Sequence, residues 1–147
     1  MRRFIVGVLA PVIVLAGVIG ACSTAPNDLN VGSCLAELPG TDQSVTSVST
    51  AGCDKEHAAE VYAVFDWSGS EGNDSFPGDS AISDKAQTGC VDGFQPYVGS
   101  TVDQSSLDVY WLTPTSDSWG KGDRKFICIA APKDSSKLTG SIKGSNK

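Results

Sequence analysis

Apolar residues fall into five stretches that predict β-strands. Residues 59–67 are apolar on both faces, which is typical of a central strand with neighbours on both sides. Residues 107–113 and 124–131 alternate apolar side chains between two faces and are also predicted strands. Residues 45–50 form a β-branched run that predicts a weaker strand, and residues 31–36 form a short extended segment. These stretches account for a small sheet.

One segment repeats its apolar residues with the period of a helix instead. Four of them recur every four positions and predict one main helix: Ile82, Ala86, Cys90 and Phe94. Asp79 and Ser80 precede this run and can cap it, and Pro96 is expected to end it. Gly89 and Gly93 each cost such a helix about 1 kcal/mol unless a close packing contact uses them.

The order of these elements predicts the fold class. The strands gather around one helix without β-α-β alternation, which favours an α+β domain. We expect a small antiparallel sheet with one main helix packed on a face. Residues 68–79 are rich in Gly, Ser, Asp and Asn and predict an exposed loop, and residues 114–123 predict a connecting loop.

Length and composition limit the molecule to one domain. The chain has 147 residues, of which 40% are hydrophobic and 19% charged, as in ordinary globular proteins. Arg2 and Arg3 precede an uncharged run over residues 4–21, which predicts a secretory signal. An uncleaved membrane-spanning anchor is the alternative, because 18 residues are near the minimum that crosses a bilayer.

The end of the uncharged run at residues 4–21 predicts a lipid anchor. Residues 19–22, Ile-Gly-Ala-Cys, resemble the lipobox of bacterial lipoproteins. The resemblance implies that Cys22 is diacylated and holds the protein on the extracytoplasmic face of the cell membrane. An unmodified Cys22 that is buried or disulfide-bonded is the alternative. Residues 23–30 show no periodicity, so we expect a tether over residues 22–30 before the domain.

The four remaining cysteines predict two disulfides, because an exported domain with an even number of cysteines usually pairs them. Three pairings are possible; we favour Cys34 with Cys53, and Cys90 with Cys128. A zinc site is the competing interpretation, since Cys53 and His57 are four residues apart. The chain has no C-x-x-C motif and one histidine, so we expect neither a metal nor a cofactor.

Charge is distributed unevenly along the chain. Residues 22–120 carry two lysines against 15 acidic residues, whereas residues 121–147 carry seven basic residues against two acidic ones. The overall formal charge of −6 argues against nucleic acid as a partner. The basic region either folds back on the acidic part or forms a face for anionic lipids or wall polymers.

Three groups of residues match patterns for chemistry or binding. His57, with Glu60 nearby, can form a carboxylate-oriented general base, or it can hydrogen-bond loop backbone. Ser118 and Lys121 match the S-x-x-K nucleophile motif, a match expected by chance in a serine-rich chain. We favour Trp119 as an anchor packed on the sheet. The alternative is that Trp119, Lys121 and Arg124 place an aromatic platform beside cations, suited to sugars or anionic polymers.

Several spaced motifs together resemble the septum-formation domain of actinobacterial envelope proteins, over residues 31–144. Residues 145–147 would then be a short tail. The family usually has Asp before its first cysteine and Pro before its histidine, where this chain has Ser33 and Glu56. The resemblance implies an exported, disulfide-bonded domain connected with cell division. Its motifs are Val31-Gly32-Ser33-Cys34, Cys53 followed by His57 and Glu60-Val61, Cys90 before Tyr97-Val98-Gly99, Trp119 with Gly122-Asp123-Arg124 before Cys128, and Leu138 to Gly144.

We therefore expect a non-enzymatic, lipid-anchored envelope domain that binds an envelope protein or a wall polymer, with a link to septum formation. The alternative function is a small cell-wall hydrolase or transferase that uses His57. A structural lipoprotein without a specific ligand is a third possibility.

Overall fold

The computed structural model describes residues 22–40, 44–68 and 75–147. The predicted signal at residues 1–21 lies outside these ranges. The described residues form a six-stranded antiparallel sheet with one main helix, which confirms the predicted α+β class. The elements are β1 (Cys22–Thr24), β2 (Cys34–Leu35), β3 (Val48–Ala51), β4 (Ala59–Asp66), α1 (Asp79–Val98), β5 (Leu107–Leu112), α2 (Ser116–Gly120) and β6 (Lys125–Pro132).

Strand β4 lies between β2 and β6 in the sheet, whose order is β1-β3-β2-β4-β6-β5. This position confirms that residues 59–67 contain a central strand. Side chains from both faces of β4 are buried, as its two-sided apolar sequence requires. Its pairing with β6 shifts register between Val61 and Ala63, a β-bulge or irregularity in the middle of the strand.

Helix α1 covers one face of the sheet with the side chains that the four-residue period predicted. Cys90 and Phe94 pack with Tyr62, Leu107 and Cys128 in the main core. Ile82 and Ala86 pack with Trp119 and Phe126 in a separate cluster. A second core on the opposite face joins Leu29 to Val61 and Ile129. The buried helix residues are Ile82, Ala86, Cys90, Phe94 and Val98.

The ends of α1 differ from the prediction. The helix begins at Asp79 after Gly78, whose φ of 95° lies in the left-handed region, and no side chain caps it. It continues through Pro96 and ends before Gly99. Pro96 lies on the exposed side, so the carbonyl of Asp92 that loses its helical partner can bond to water. The expected stop at Pro96 was therefore wrong.

The two helical glycines are used in close packing against β4. A Cβ atom at Gly89 would overlap the ring of Phe65, and one at Gly93 would lie 3.0 Å from the Cβ of Ala63. The helix can approach the sheet this closely because both positions lack a side chain.

Residues 22–30, for which the sequence predicted a tether, are part of the folded domain. Strand β1 pairs with β3, residues Pro26–Asp28 form a 3₁₀ helix, and Leu29 is 1% exposed in the second core. Strand β3 supplies a free edge for β1, and the second face of the sheet supplies apolar surface for Leu29. Neither is visible in the local sequence.

Two other segments expected to be irregular are also ordered. The predicted loop 114–123 contains α2, whose N-terminus has a capping box between Thr115 and Ser118. The predicted tail at residues 145–147 bonds to the end of α1, where the Asn146 amide donates to the carbonyl of Val98 at 2.9 Å.

Candidate functional site

The structure confirms both expected disulfides. Cys34 at the start of β2 is bonded to Cys53 after β3, and Cys90 in α1 is bonded to Cys128 in β6. Cys90 and Cys128 are each 0% exposed, whereas Cys53 is partly exposed. The first bridge therefore has one side near solvent and the second lies wholly in the core.

His57 lies beside the first disulfide and is 0% exposed. Its backbone forms an isolated bridge with Leu138, with hydrogen bonds of 3.0 and 2.8 Å. Its Nδ1 is 2.8 Å from the carbonyl oxygen of Lys55, while its Nε2 has no hydrogen-bond partner. The loop-backbone bond is the one expected for a structural histidine. A ring buried in this way does not face a substrate.

Glu60 is also 0% exposed and joins three parts of the fold. Its Oε1 accepts hydrogen bonds from the hydroxyls of Tyr97, at 2.6 Å, and Ser141, at 2.7 Å. Its Oε2 accepts from the backbone amide of Ile142 at 2.8 Å. Burial, together with the hydrogen bond to Glu60, raises the pKa of Tyr97 to about 12. The carboxylate thus connects β4 to α1 and to the C-terminal segment.

These residues form one compact cluster of donor atoms. A sulfur of Cys34, a ring nitrogen of His57 and a carboxylate oxygen of Glu60 all lie within 4.8 Å of one another. Among the described residues, this is the one group of histidine, cysteine and acidic side chains with the spacing of a metal site. Because Cys34 is oxidised in the disulfide, its sulfur is not a thiolate ligand in this form.

Trp119 is a core anchor, 3% exposed, and its indole Nε1 has no hydrogen-bond partner. Trp67 and Phe76 meet its ring edge-on, with centroids 5.7 and 5.8 Å away. The guanidinium carbon of Arg124 lies 3.7 Å from the ring centroid, and Arg124 also donates to the Trp119 carbonyl at 2.8 Å. The indole therefore cannot serve as an exposed platform in this conformation.

A different tryptophan is accessible at the same end of the sheet. Trp67, just beyond β4, is partly exposed and borders a shallow groove of about 670 Å³. We call this surface the Trp67 groove and define it by Asp66, Trp67, Lys121, Arg124 and Lys125. The sequence pattern predicts Trp67 as the last residue of a strand and does not indicate its partial exposure. The one signal for exposure is its position at the boundary with the polar segment 68–79.

The predicted site residues therefore form two separate groups. His57 and Glu60 lie at the start of β4, and Trp119, Lys121 and Arg124 lie beyond its other end. Ser118 of the S-x-x-K match is used in the fold, because its hydroxyl accepts from the Thr115 amide at 2.9 Å. That hydroxyl belongs to the capping box rather than to a nucleophilic site.

The predicted lipid-attachment residue is exposed. Cys22 is a free cysteine in edge strand β1, opposite Thr50 of β3. Within the described ranges, no helix is long and apolar enough to span a bilayer.

Comparison with known proteins gives matches that cover most of the chain. A family model described as septum formation matches residues 29–147. Two curated relatives, each called "Putative lipoprotein LppN", come from Mycobacterium tuberculosis and Mycobacterium bovis. Each is 33% identical over 119 residues, which cover 79% of this chain and 63% of the relative. The chain thus matches somewhat under two thirds of their length. No solved structure matches it.

Proposed function

Because this chain belongs to the septum-formation family, we propose that it is a lipid-anchored domain of the cell envelope that binds a protein or a wall polymer without catalysing a reaction. The family supports an envelope role connected with septum formation. The relatives named as lipoproteins support anchoring through lipid.

The anchor would be a diacylated Cys22. Its thiol is exposed at the edge of the sheet, and the lipobox-like residues 19–21 precede it. Two or more acyl chains hold a protein stably on a bilayer, whereas one does not. Mass spectrometry of the mature N-terminus should detect Cys22 carrying diacylglycerol. An unmodified N-terminus at another residue would contradict the anchor.

The Trp67 groove is the observation that carries the binding part of the proposal. It places an accessible indole beside cations from the basic C-terminal region and the carboxylate of Asp66. An aromatic face with charged neighbours suits sugar rings and anionic polymer segments, and aromatic and arginine side chains are enriched in protein interfaces.

Retention on isolated envelope fractions tests this surface. Lys121→Glu should lose retention without changing the melting temperature, because Lys121 is exposed. Trp67→Ala should lose it too, with some loss of stability through its contacts with Trp119 and Phe126. Lys137→Glu, an exposed lysine outside the groove, is the control and should bind normally. Unchanged retention of Lys121→Glu and Trp67→Ala would exclude the groove as the binding surface.

The hydrolase or transferase alternative depends on His57 reaching a substrate, and its burial does not favour that role. The mature protein should release no muropeptides from purified cell walls. Release by the mature protein that disappears in His57→Ala would establish the enzyme and overturn the binding domain as the main function.

A further inference from the structure

The cluster around the Cys34–Cys53 disulfide combines two sulfurs, one imidazole and one carboxylate in a buried place. Cys34, His57 and Glu60 are each at most 2% exposed, and their donor atoms lie within 4.8 Å of one another. Cys53 is not one of these three residues, but its sulfur is bonded to that of Cys34 and therefore lies next to the cluster. Cysteine, histidine and glutamate, the three residue types present here, are all ligands that tetrahedral Zn²⁺ sites use.

The hydrogen bonding of His57 leaves one ring nitrogen without a partner, as a metal ligand requires. Nδ1 faces the carbonyl oxygen of Lys55 at 2.8 Å, and a carbonyl only accepts hydrogen bonds, so Nδ1 carries the proton in the neutral ring. Nε2 then bears a lone pair, and this buried atom has no partner. Ligating histidines usually donate their other ring N–H to a backbone carbonyl or carboxylate in this way.

Hydrogen bonds also fix the carboxylate of Glu60 in place. Three donors occupy its carboxylate, two on Oε1 and one on Oε2. A carboxylate has about four acceptor positions, so one position on Oε2 is not used by these bonds. Metal-ligating carboxylates are likewise fixed by hydrogen bonds from surrounding groups.

We propose that reduction of the Cys34–Cys53 disulfide creates a binding site for a zinc-type divalent cation at this cluster. A dithiol reductant supplies two electrons and two protons; it becomes a disulfide, and Cys34 and Cys53 become thiols. When the cation binds, both thiols release their protons, and the ligands are the two thiolates, Nε2 of His57 and Oε2 of Glu60. In the reverse direction, a disulfide oxidant accepts two electrons from the two thiolates and two protons from solvent and becomes a dithiol; the Cys34–Cys53 disulfide re-forms and the cation is released.

Exposure makes the reduction selective. Cys53 is partly exposed, so a thiol can attack its sulfur and release the sulfur of Cys34. Cys90 and Cys128 are fully buried in the main core, so this second bridge keeps α1 attached to the sheet while the first is open.

Co²⁺ provides a spectroscopic test on the full protein extracted in detergent. After mild reduction and removal of the reductant, one Co²⁺ should bind per chain, with tetrahedral d–d bands and a thiolate charge-transfer band, and Zn²⁺ should displace it. The oxidised protein should bind neither ion. Repeating the titration with Cys22→Ser excludes any contribution from that thiol.

Alkylation followed by peptide mapping should find new thiols at Cys34 and Cys53 only. His57→Gln should weaken Co²⁺ binding by at least ~10-fold, whereas Glu56→Gln, an exposed neighbour, should leave it unchanged. If His57→Gln does not fold, Zn²⁺ must still raise the melting temperature of the reduced natural chain and not that of the oxidised one. Absence of that shift together with absence of tetrahedral bands, or equal binding before and after reduction, would overturn the proposal.

Discussion

At the scale of single residues, stability depends on a few buried side chains with both polar and apolar contacts. Tyr62 is 2% exposed in the main core, where its hydroxyl donates to the carbonyl of Cys90 at 2.8 Å. Its ring meets Phe94 edge-on. Such a residue connects β4 to α1 through packing and through one hydrogen bond.

Burial of Tyr62 predicts a loss of stability at alkaline pH. Burial raises the pKa of its phenol above the usual value near 10, so the folded state holds this proton more tightly than the unfolded state does. The resulting stability is present below pH ~10 and decreases as the pH rises above it. In urea titrations, Tyr62→Phe should therefore show a weaker decrease above pH ~10 than the natural chain.

The control for the alkaline titration is Tyr110→Phe, which removes one phenol from a partly exposed position. It should keep the pH dependence of the natural chain. Parallel curves for the natural chain and Tyr62→Phe would show that this phenol does not determine alkaline stability.

The burial of Trp119 predicts a large loss of stability on truncation. Trp119→Ala should lower the free energy of unfolding by about 3–5 kcal/mol, the usual cost of removing a buried aromatic side chain. It also removes the ring beneath the Arg124 guanidinium. Denaturant unfolding measures the change, and Lys121→Ala, at an exposed position, should alter it by less than ~0.5 kcal/mol. An unchanged midpoint for Trp119→Ala would show that the indole is not part of the core.

At the scale of elements, α1 shows how packing overrides helix propensity. Its two inward glycines lower its intrinsic stability, and its proline removes one hydrogen bond. The helix nevertheless runs for 20 residues because five buried side chains and one disulfide hold it on the sheet.

Gly89→Ala tests this balance. Propensity alone predicts a gain of about 1 kcal/mol, but a Cβ at this position overlaps the ring of Phe65, which itself stacks on Phe126. We expect a net loss of about 1–3 kcal/mol, as for other overpacked cores. Thr88→Ala, an exposed neighbour in the same helix, should be neutral or slightly stabilising. Stabilisation by Gly89→Ala would mean that Phe65 can move aside.

At the scale of the whole molecule, the C-terminal region folds back on the rest of the chain. Leu138 and Ile142 are buried in the main core, and Ile142 also donates to Glu60. Lysines of this region donate to backbone carbonyls of distant segments: Lys125 to Asn27 at 2.6 Å and Lys133 to Ser105 at 2.8 Å. These contacts support the fold-back explanation of the uneven charge distribution.

The two disulfides should contribute unequally to the stability of the molecule. Cys90 and Cys128 are 38 positions apart, so chain entropy predicts that their bridge contributes about 4 kcal/mol. Cys34 and Cys53 are 19 positions apart, and the corresponding value is about 3 kcal/mol. Replacing both Cys90 and Cys128 by Ala also leaves a gap in the main core, so this pair should cost more than replacing both Cys34 and Cys53. Calorimetry of the two double variants measures the difference. The reverse order would show that the first bridge is the main constraint.

The position of Cys22 in the fold determines how a lipid-anchored form would lie on the membrane. The sequence predicted a tether after Cys22, but Cys22 itself lies in β1, paired with Thr50. A lipid on this residue would therefore hold the edge of the sheet close to the bilayer without a flexible spacer.

The sequence alone determined the features that depend on local pattern. Strand β4, the inward face of α1 and the presence of two disulfides follow from apolar period and cysteine count. The pairing that the structure shows was the favoured one of three that the sequence left open. The resemblance to the septum-formation family came from spaced motifs. Buried apolar residues repeat with the period of their own element, so the element can be recognised from the sequence without knowing which surfaces it packs against.

Only the tertiary structure decided the features that depend on contacts distant in sequence. The pairing of β1 requires the edge of β3, and Pro96 stays in its helix because the surrounding packing holds it. The sequence could place His57 near Glu60, but not the 4.8 Å cluster with Cys34 or the burial of its Nε2. Likewise the structure decided between the two interpretations of Trp119 in favour of the anchor and left Trp67 partly exposed, because burial depends on which elements pack on a side chain.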